Sequence, residues 1–124
     1  MYADVEALLV TYIGGITGIA GASVELPNMP SLPFALITRI GGGDDYITDS
    51  PQVDIDIFNT TRATALATAR IVHAQMMELR HTAVNGVLVD HVETITGPMW
   101  VNYQDETLQR YVASYRVDSR VVAQ

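Results

Sequence analysis

The stretch Gln52–Arg80, QVDIDIFNTTRATALATARIVHAQMMELR, decides the fold. Its start, Val53-Asp54-Ile55-Asp56-Ile57-Phe58, alternates apolar and acidic residues, the period-2 signature of a strand with one buried face. Asn59, Thr60 and Thr61 follow, and each can cap a helix by accepting a bond from a free backbone N–H. From Arg62 to Arg80 there is no Gly or Pro and Ala is abundant, which predicts a helix of about five turns. A strand that hands directly to a long helix requires an α+β or α/β core.

The faces of that helix carry further information. Ala65, Ala69, Val72, Met76 and Leu79 follow helical spacing and form one apolar stripe. Ala63, Ala67, Ile71 and Ala74 form a second stripe of mostly small residues, well away from the first. Thr64, Thr68 and Gln75 make the plainly polar strip. A helix nearly apolar all round is usually buried on two sides. Either Ala is tolerated at the surface for its propensity alone, or the second stripe packs on another subunit.

Toward the N-terminus, Asp4 can cap a short helix that shows Val5, Leu8, Leu9 and Tyr12 on one face, with Glu6 in its first turn. Gly14, Gly15 and Gly18 end it. A short strand is expected around Ala22–Leu26, then a turn at Pro27–Pro30, then a stronger strand from Phe34 to Ile40. Gly41–Ser50 reads as a loop; its three glycines are not followed by Gly-Lys-Ser/Thr, and its aspartates would repel phosphate. Beyond the long helix, Asn85-Gly86 signals a turn, Val87–Ile95 a strand, Gly97-Pro98 a break, and Asn102–Glu106 a loop. The last segment, Leu108–Val122, puts Tyr111, Ala113, Tyr115, Val117 and Val121 on one face. Arg110, Ser114, Arg116, Asp118 and Arg120 lie on the other. Extended, it reaches roughly 50 Å, enough to project beyond a single copy.

Composition excludes several functions. One domain of 124 residues is expected, with no cysteine and so no disulfide framework, thiolate zinc site or cysteine nucleophile. All seven positive charges are Arg, against fourteen carboxylates, and a net charge of −7 argues against a nucleic-acid-binding surface. The N-terminus is acidic where a signal peptide would be basic, and no apolar run approaches the ~20 residues of a membrane span. A soluble protein made in a cytoplasm, with no membrane partner, is expected. His73, His81 and His91 show no helical metal spacing. His91 and Glu93 share a strand face, and with Tyr103 they form the one polar cluster that a ligand-binding or enzymatic domain could use. Asp54 and Asp56 also share a face and could ligate a hard cation, but such a site usually gathers more oxygens and no EF-hand spacing surrounds them. The simpler role is to pair with Arg110, Arg116 or Arg120 across the sheet, or to line a wet surface. No nucleophile elbow, dinucleotide fingerprint or Ser-His-Asp set is present. No catalytic residue and no cofactor is expected.

The segments PSLPFALITRIGGG (30–43), VDIDIFNTTRATALATARIVHAQM (53–76), GPMWVNYQDE (97–106) and RYVASYRVDSR (110–120) carry a resemblance. Together they resemble the tail terminator proteins of long-tailed bacteriophages, within the small tail-completion proteins that include the lambda-type terminators. The Gly-Pro-x-Trp segment is similar to the version in phages of actinobacteria. The similarity runs from about Val5 to Val121, and it rests on the order and spacing of motifs that are individually weak. It implies an α+β fold, a small, mostly antiparallel mixed sheet with two helices packed on it, in the order α-β-β-β-α-β-β. It also implies a homo-hexameric ring that caps the head-proximal end of the tail tube, ends tube growth and meets the head–tail connector. Such a protein works in the virion after assembly in the host cytoplasm.

A ring needs head-to-tail contacts that close by rotation. The surfaces expected to supply them are the stripe Ala63, Ala67, Ile71, Ala74 and the final strand with Arg110, Arg116 and Arg120. DNA passes through such a ring without specific binding, and six copies at −7 each would bring about −42 to it. Asp44, Asp45, Asp54 and Asp56 are the carboxylates expected to line the bore. A head-completion or neck protein of the same virion region is the nearest alternative.

Overall fold

The computed structural model describes residues 4–44, 49–103 and 107–121, with side chains described for all of these except 42–44, 49 and 121. Helix α1 (Val5–Gly14) starts where Asp4 accepts a 3.0 Å bond from the N–H of Ala7, and it buries Val5, Leu8, Leu9 and Ile13. Strands β1 (Gly21–Ser23), β2 (Phe34–Asp44) and β3 (Asp49–Asn59) follow, then helix α2 (Arg62–Glu78), β4 (Thr82–Val84), β5 (Val87–Val101) and β6 (Gln109–Val121).

The six strands form one sheet in the order β1-β2-β3-β6-β5-β4. The β1–β2 pair is parallel and every other pair antiparallel. The fold is therefore α+β, with one element more than the sequence order contained. That element, β4, is only three residues long, and it is held to β5 by a tight turn in which Asn85 (φ 53°) and Gly86 (φ 73°) both take positive φ. This is the backbone demand that Asn-Gly meets best.

Period-2 alternation sorts the sheet into two faces. Ile37, Val53, Ile55, Ile57, Val89, Val92, Tyr115 and Val117 are buried toward the helices. Thr38, Asp54, Asp56, Glu93, Arg110, Ser114, Arg116 and Asp118 occupy the register positions of the opposite face. Helix α2 packs over β3, β6 and β5, whereas α1 touches β1 and β2 at one edge and also β4 at the other. Contact with both edges requires a curled sheet with the helices on its inner side.

Helix α2 is capped by Thr61 in a reciprocal arrangement. The hydroxyl of Thr61 accepts from the N–H of Thr64 (3.1 Å), and the Thr61 N–H donates to the hydroxyl of Thr64 (3.2 Å). Thr61→Ala should lower unfolding stability by about 1 kcal/mol, read as a shift in urea midpoint at unchanged slope.

Three expectations are corrected. The stretch Gly41–Asp44 is strand, not loop: its backbone opposes Gln52, Pro51, Ser50 and Asp49 beyond a bulge at Ile40. Glycine costs strand stability but keeps both ladder groups, so a long partner strand can hold it. Gly97-Pro98 does not break the sheet; β5 runs through it, with a register shift between Thr96 and Met99. This part of β5 lies past its last partner in β4, so the missing N–H of Pro98 leaves no ladder bond unmade on the outer side. Thr68 is buried rather than part of a polar strip, because its hydroxyl donates to the Thr64 carbonyl (2.9 Å) and so loses no hydrogen bond on burial.

Candidate assembly surfaces

The inner stripe of α2 (Ala65, Ala69, Val72, Met76) is buried on the sheet, as its spacing predicts. The second stripe, Ala63, Ala67, Ile71 and Ala74, faces solvent along its whole length, and Ile71 is 50% exposed. Among the described residues, nothing covers it.

Beside Ile71 lies an open groove of about 670 Å³ between the end of α1 and the second half of α2, with Tyr12, Ile16, Gln75 and Val84 among its lining residues. Tyr12 fixes its floor, because its hydroxyl donates to the Gln75 carbonyl at 2.7 Å. Thr11, another lining residue, accepts a bond at its hydroxyl from the Asn85 side-chain amide (3.1 Å). Sequence reasoning found Tyr12 only as one residue of an amphipathic stripe; the groove depends on where α1 crosses α2, which no local pattern encodes.

A second apolar exposure sits at the far end of β5. Ile95 (46%), Met99 (52%) and Trp100 (37%) are exposed where the strand runs past β4. The guanidinium of Arg62, first residue of α2, lies 4.4 Å from the centre of the Trp100 ring, and the indole N–H donates to Gln109 (3.0 Å).

The helix-free face of the sheet holds the charged residues. Arg110 lies 3.7 Å from Asp56 and also donates to the Asn102 carbonyl (2.9 Å). Arg116 pairs with Glu93 (2.6 Å) and lies 3.5 Å from Asp118, and Arg120 lies 3.4 Å from Asp90. Asp54 accepts from the Ser114 hydroxyl instead of an arginine. The three arginines and the two aspartates thus share one face and are partnered within the chain. The pairing expected for the aspartates holds for Asp56 with Arg110. The backbone of Asp44 opposes Asp49 at the end of β2, and Asp45 lies outside the described residues.

Burial pushes the Asp56 carboxyl up to about 6; Arg110 opposes the rise and Asp54 adds to it. The folded chain thus holds this proton more tightly than the unfolded one. The group's stabilising contribution is full below about pH 4 and is lost as pH rises through about 6. Asp56→Asn should remove that dependence. Urea midpoints at about pH 5 and about pH 7.5 should then differ less in the variant than in the parent.

The polar cluster weighed for ligand chemistry is not assembled. His91 is opposite Asp118, Glu93 is held by Arg116, and Tyr103 packs edge-on against Phe58 (5.1 Å) near Arg110. Positions 110 and 118 of one strand are roughly 26 Å apart. Among the described residues, no group of three or more His, Cys, Asp or Glu could hold a metal ion. Among the same residues, no helix is long and apolar enough to cross a membrane.

No protein-family model and no curated protein matches the chain. Among solved structures, it is similar to a chain of the virion of a native gene transfer agent (GTA) particle. That similarity has a TM-score of 0.57 at 13% sequence identity and covers 92% of this chain and 85% of the other. At that identity, what the two share is a fold.

Proposed function

We propose that this chain is a structural protein of a tailed virion and acts as its tail terminator. In this reading a closed homo-oligomeric ring, of six copies in the proteins it resembles, caps the head-proximal end of the tail tube. The ring ends tube polymerisation and gives the head connector a joining surface, while DNA passes through without specific binding. The observation that carries the reading is a fold likeness spanning nearly all of both chains to a component of a GTA virion. The ordered motifs from Pro30 to Arg120, which resemble those of tail terminators, support the finer role.

The surface supports a role exercised by shape. A single copy leaves Ile71, Ile95, Met99 and Trp100 between 37% and 52% exposed. Large apolar residues left open in patches mark surfaces that associate. If the helix-free face lines the bore, its carboxylates Asp54, Asp56, Asp90, Glu93 and Asp118 outnumber Arg110, Arg116 and Arg120 and give DNA a mildly acidic wall. Arginines already paired to carboxylates on a net acidic wall offer a polyanion no cluster of free cations to hold it.

The test is to mix the purified chain with cognate tail tubes and image them. Rings at one tip and tubes that stop growing are expected. Binding to portals or heads instead would assign a neck role and overturn the terminator. Absence of binding to any virion component would overturn the virion reading itself.

A further inference from the structure

The turn between β4 and β5 holds a reactive pair in a restrained form. Asn85 is the one asparagine of the chain that precedes a glycine; Asn28, Asn59 and Asn102 precede Met, Thr and Tyr. Glycine has no Cβ, so its backbone nitrogen is the least shielded that can follow an asparagine. Asn85 and Gly86 are both exposed, and β4, which leads into them, is a three-residue strand at the end of the sheet. Segments with so few buried contacts open locally at small cost. Two features oppose reaction while the turn stays closed. The first is backbone geometry: Asn85 (φ 53°) and Gly86 (φ 73°) make a two-residue turn closed by the Val84–Val87 pair. Such a turn holds ψ of its first residue at about +30°. Cβ of Asn85 then lies nearly opposite the Gly86 nitrogen about the Cα–C bond, whereas ring closure between side chain and backbone needs the two eclipsed. The second is the bond from the Asn85 amide to the Thr11 hydroxyl (3.1 Å), which draws the side chain toward α1.

We propose that Asn85 is the site at which this chain deamidates spontaneously, and that the left-handed turn and the Thr11 contact hold the reaction back in the folded state. Base takes the proton from the Gly86 nitrogen, which attacks the side-chain carbonyl carbon of Asn85. A carbon–nitrogen bond forms to the backbone, the one to the side-chain nitrogen breaks, and that nitrogen leaves as ammonia after taking up a proton. Water then opens the cyclic imide at either carbonyl, giving an aspartate or an isoaspartate whose main chain runs through the former side chain. Water is the only co-reactant. Either product lacks the N–H that Thr11 accepts, so the side-chain tie between α1 and the β4–β5 turn is lost. The isoaspartate also lengthens the main chain inside a turn that the Val84–Val87 pair limits to two residues. Both changes fall at the rim of the groove that Thr11 and Val84 line.

The test follows the full chain over time at mildly alkaline pH, folded and in urea, by mass analysis of its peptides. In both states the peptide holding position 85 should show the mass gain of an amide turned acid before those holding Asn28, Asn59 or Asn102. Its conversion should be several-fold slower in the folded chain than in urea. Thr11→Val removes the hydroxyl at an exposed position with little change of shape. It should speed the folded reaction several-fold and leave the rate in urea unchanged, while Thr11→Ser, which keeps an acceptor, should react at the parent rate. Urea midpoints show that each variant is folded when its rate is read. Earlier conversion at another asparagine of the folded chain would overturn the site. Equal rates folded and in urea would overturn the restraint, and an unchanged folded rate in Thr11→Val would overturn the part given to Thr11.

Discussion

Tyr115→Ala should lower unfolding stability by about 3–5 kcal/mol, the cost of emptying a large site inside a packed core. Tyr115 is 1% exposed in the middle of β6, between Val53 of β3 and Thr94 of β5. Its hydroxyl lies 2.8 Å from Nδ1 of His73, and its ring centre 5.7 Å from that imidazole, so it ties the sheet to the middle of α2. Burial pushes its phenol up, which keeps it neutral across the physiological range. Domains of this size are stable by roughly 5–15 kcal/mol, so the loss is a large share of the total. Urea titration gives the value, and Tyr115→Phe separates its parts. Removing only the hydroxyl should cost about 1 kcal/mol, because half-buried His73 can turn to water. A Tyr115→Ala loss under about 1 kcal/mol would mean that β6 is not the centre of the core.

Ala67→Arg should leave the fold unchanged and abolish assembly. Ala67 lies in the middle of the exposed stripe of α2, where the new side chain meets only solvent in a single copy. Exposed helix positions usually tolerate such a change within about 0.5 kcal/mol. In a closed ring the same arginine would hold the neighbouring copy away and leave a desolvated charge at the junction. The expected result is a wild-type urea curve with complete loss of tube capping. Capping at the parent level would remove this face from the subunit contact.

The strand-to-helix handover at Val53–Arg62 and the two-faced final strand were legible in the sequence because each depends on local periodicity and capping chemistry. The buried set Val53, Ile55, Ile57, Tyr111, Ala113, Tyr115 and Val117 falls where alternation places it. Gly41–Asp44 and Gly97-Pro98 were not legible as strand. There the partner strand, not local propensity, holds the backbone. Strand β4 was missed because three residues carry no period, and its pairing follows from the Asn85-Gly86 turn. Thr68 was misplaced because a hydroxyl that bonds its own helix can be buried, which hydropathy does not record. Of the surfaces, the exposed stripe was readable from helical spacing. The groove was not, since Tyr12 and Ile71 meet only after the sheet curls.

The central claim is that this chain acts as one of several identical copies placed where a tail meets its head. Electron cryomicroscopy of the cognate particle tests it most directly. The expected density at the head-proximal tip of the tube is a closed ring of copies with this six-stranded sheet, each touching its neighbours through α2. A particle whose tube ends without this chain, or one that holds it as an isolated single copy, would contradict the claim.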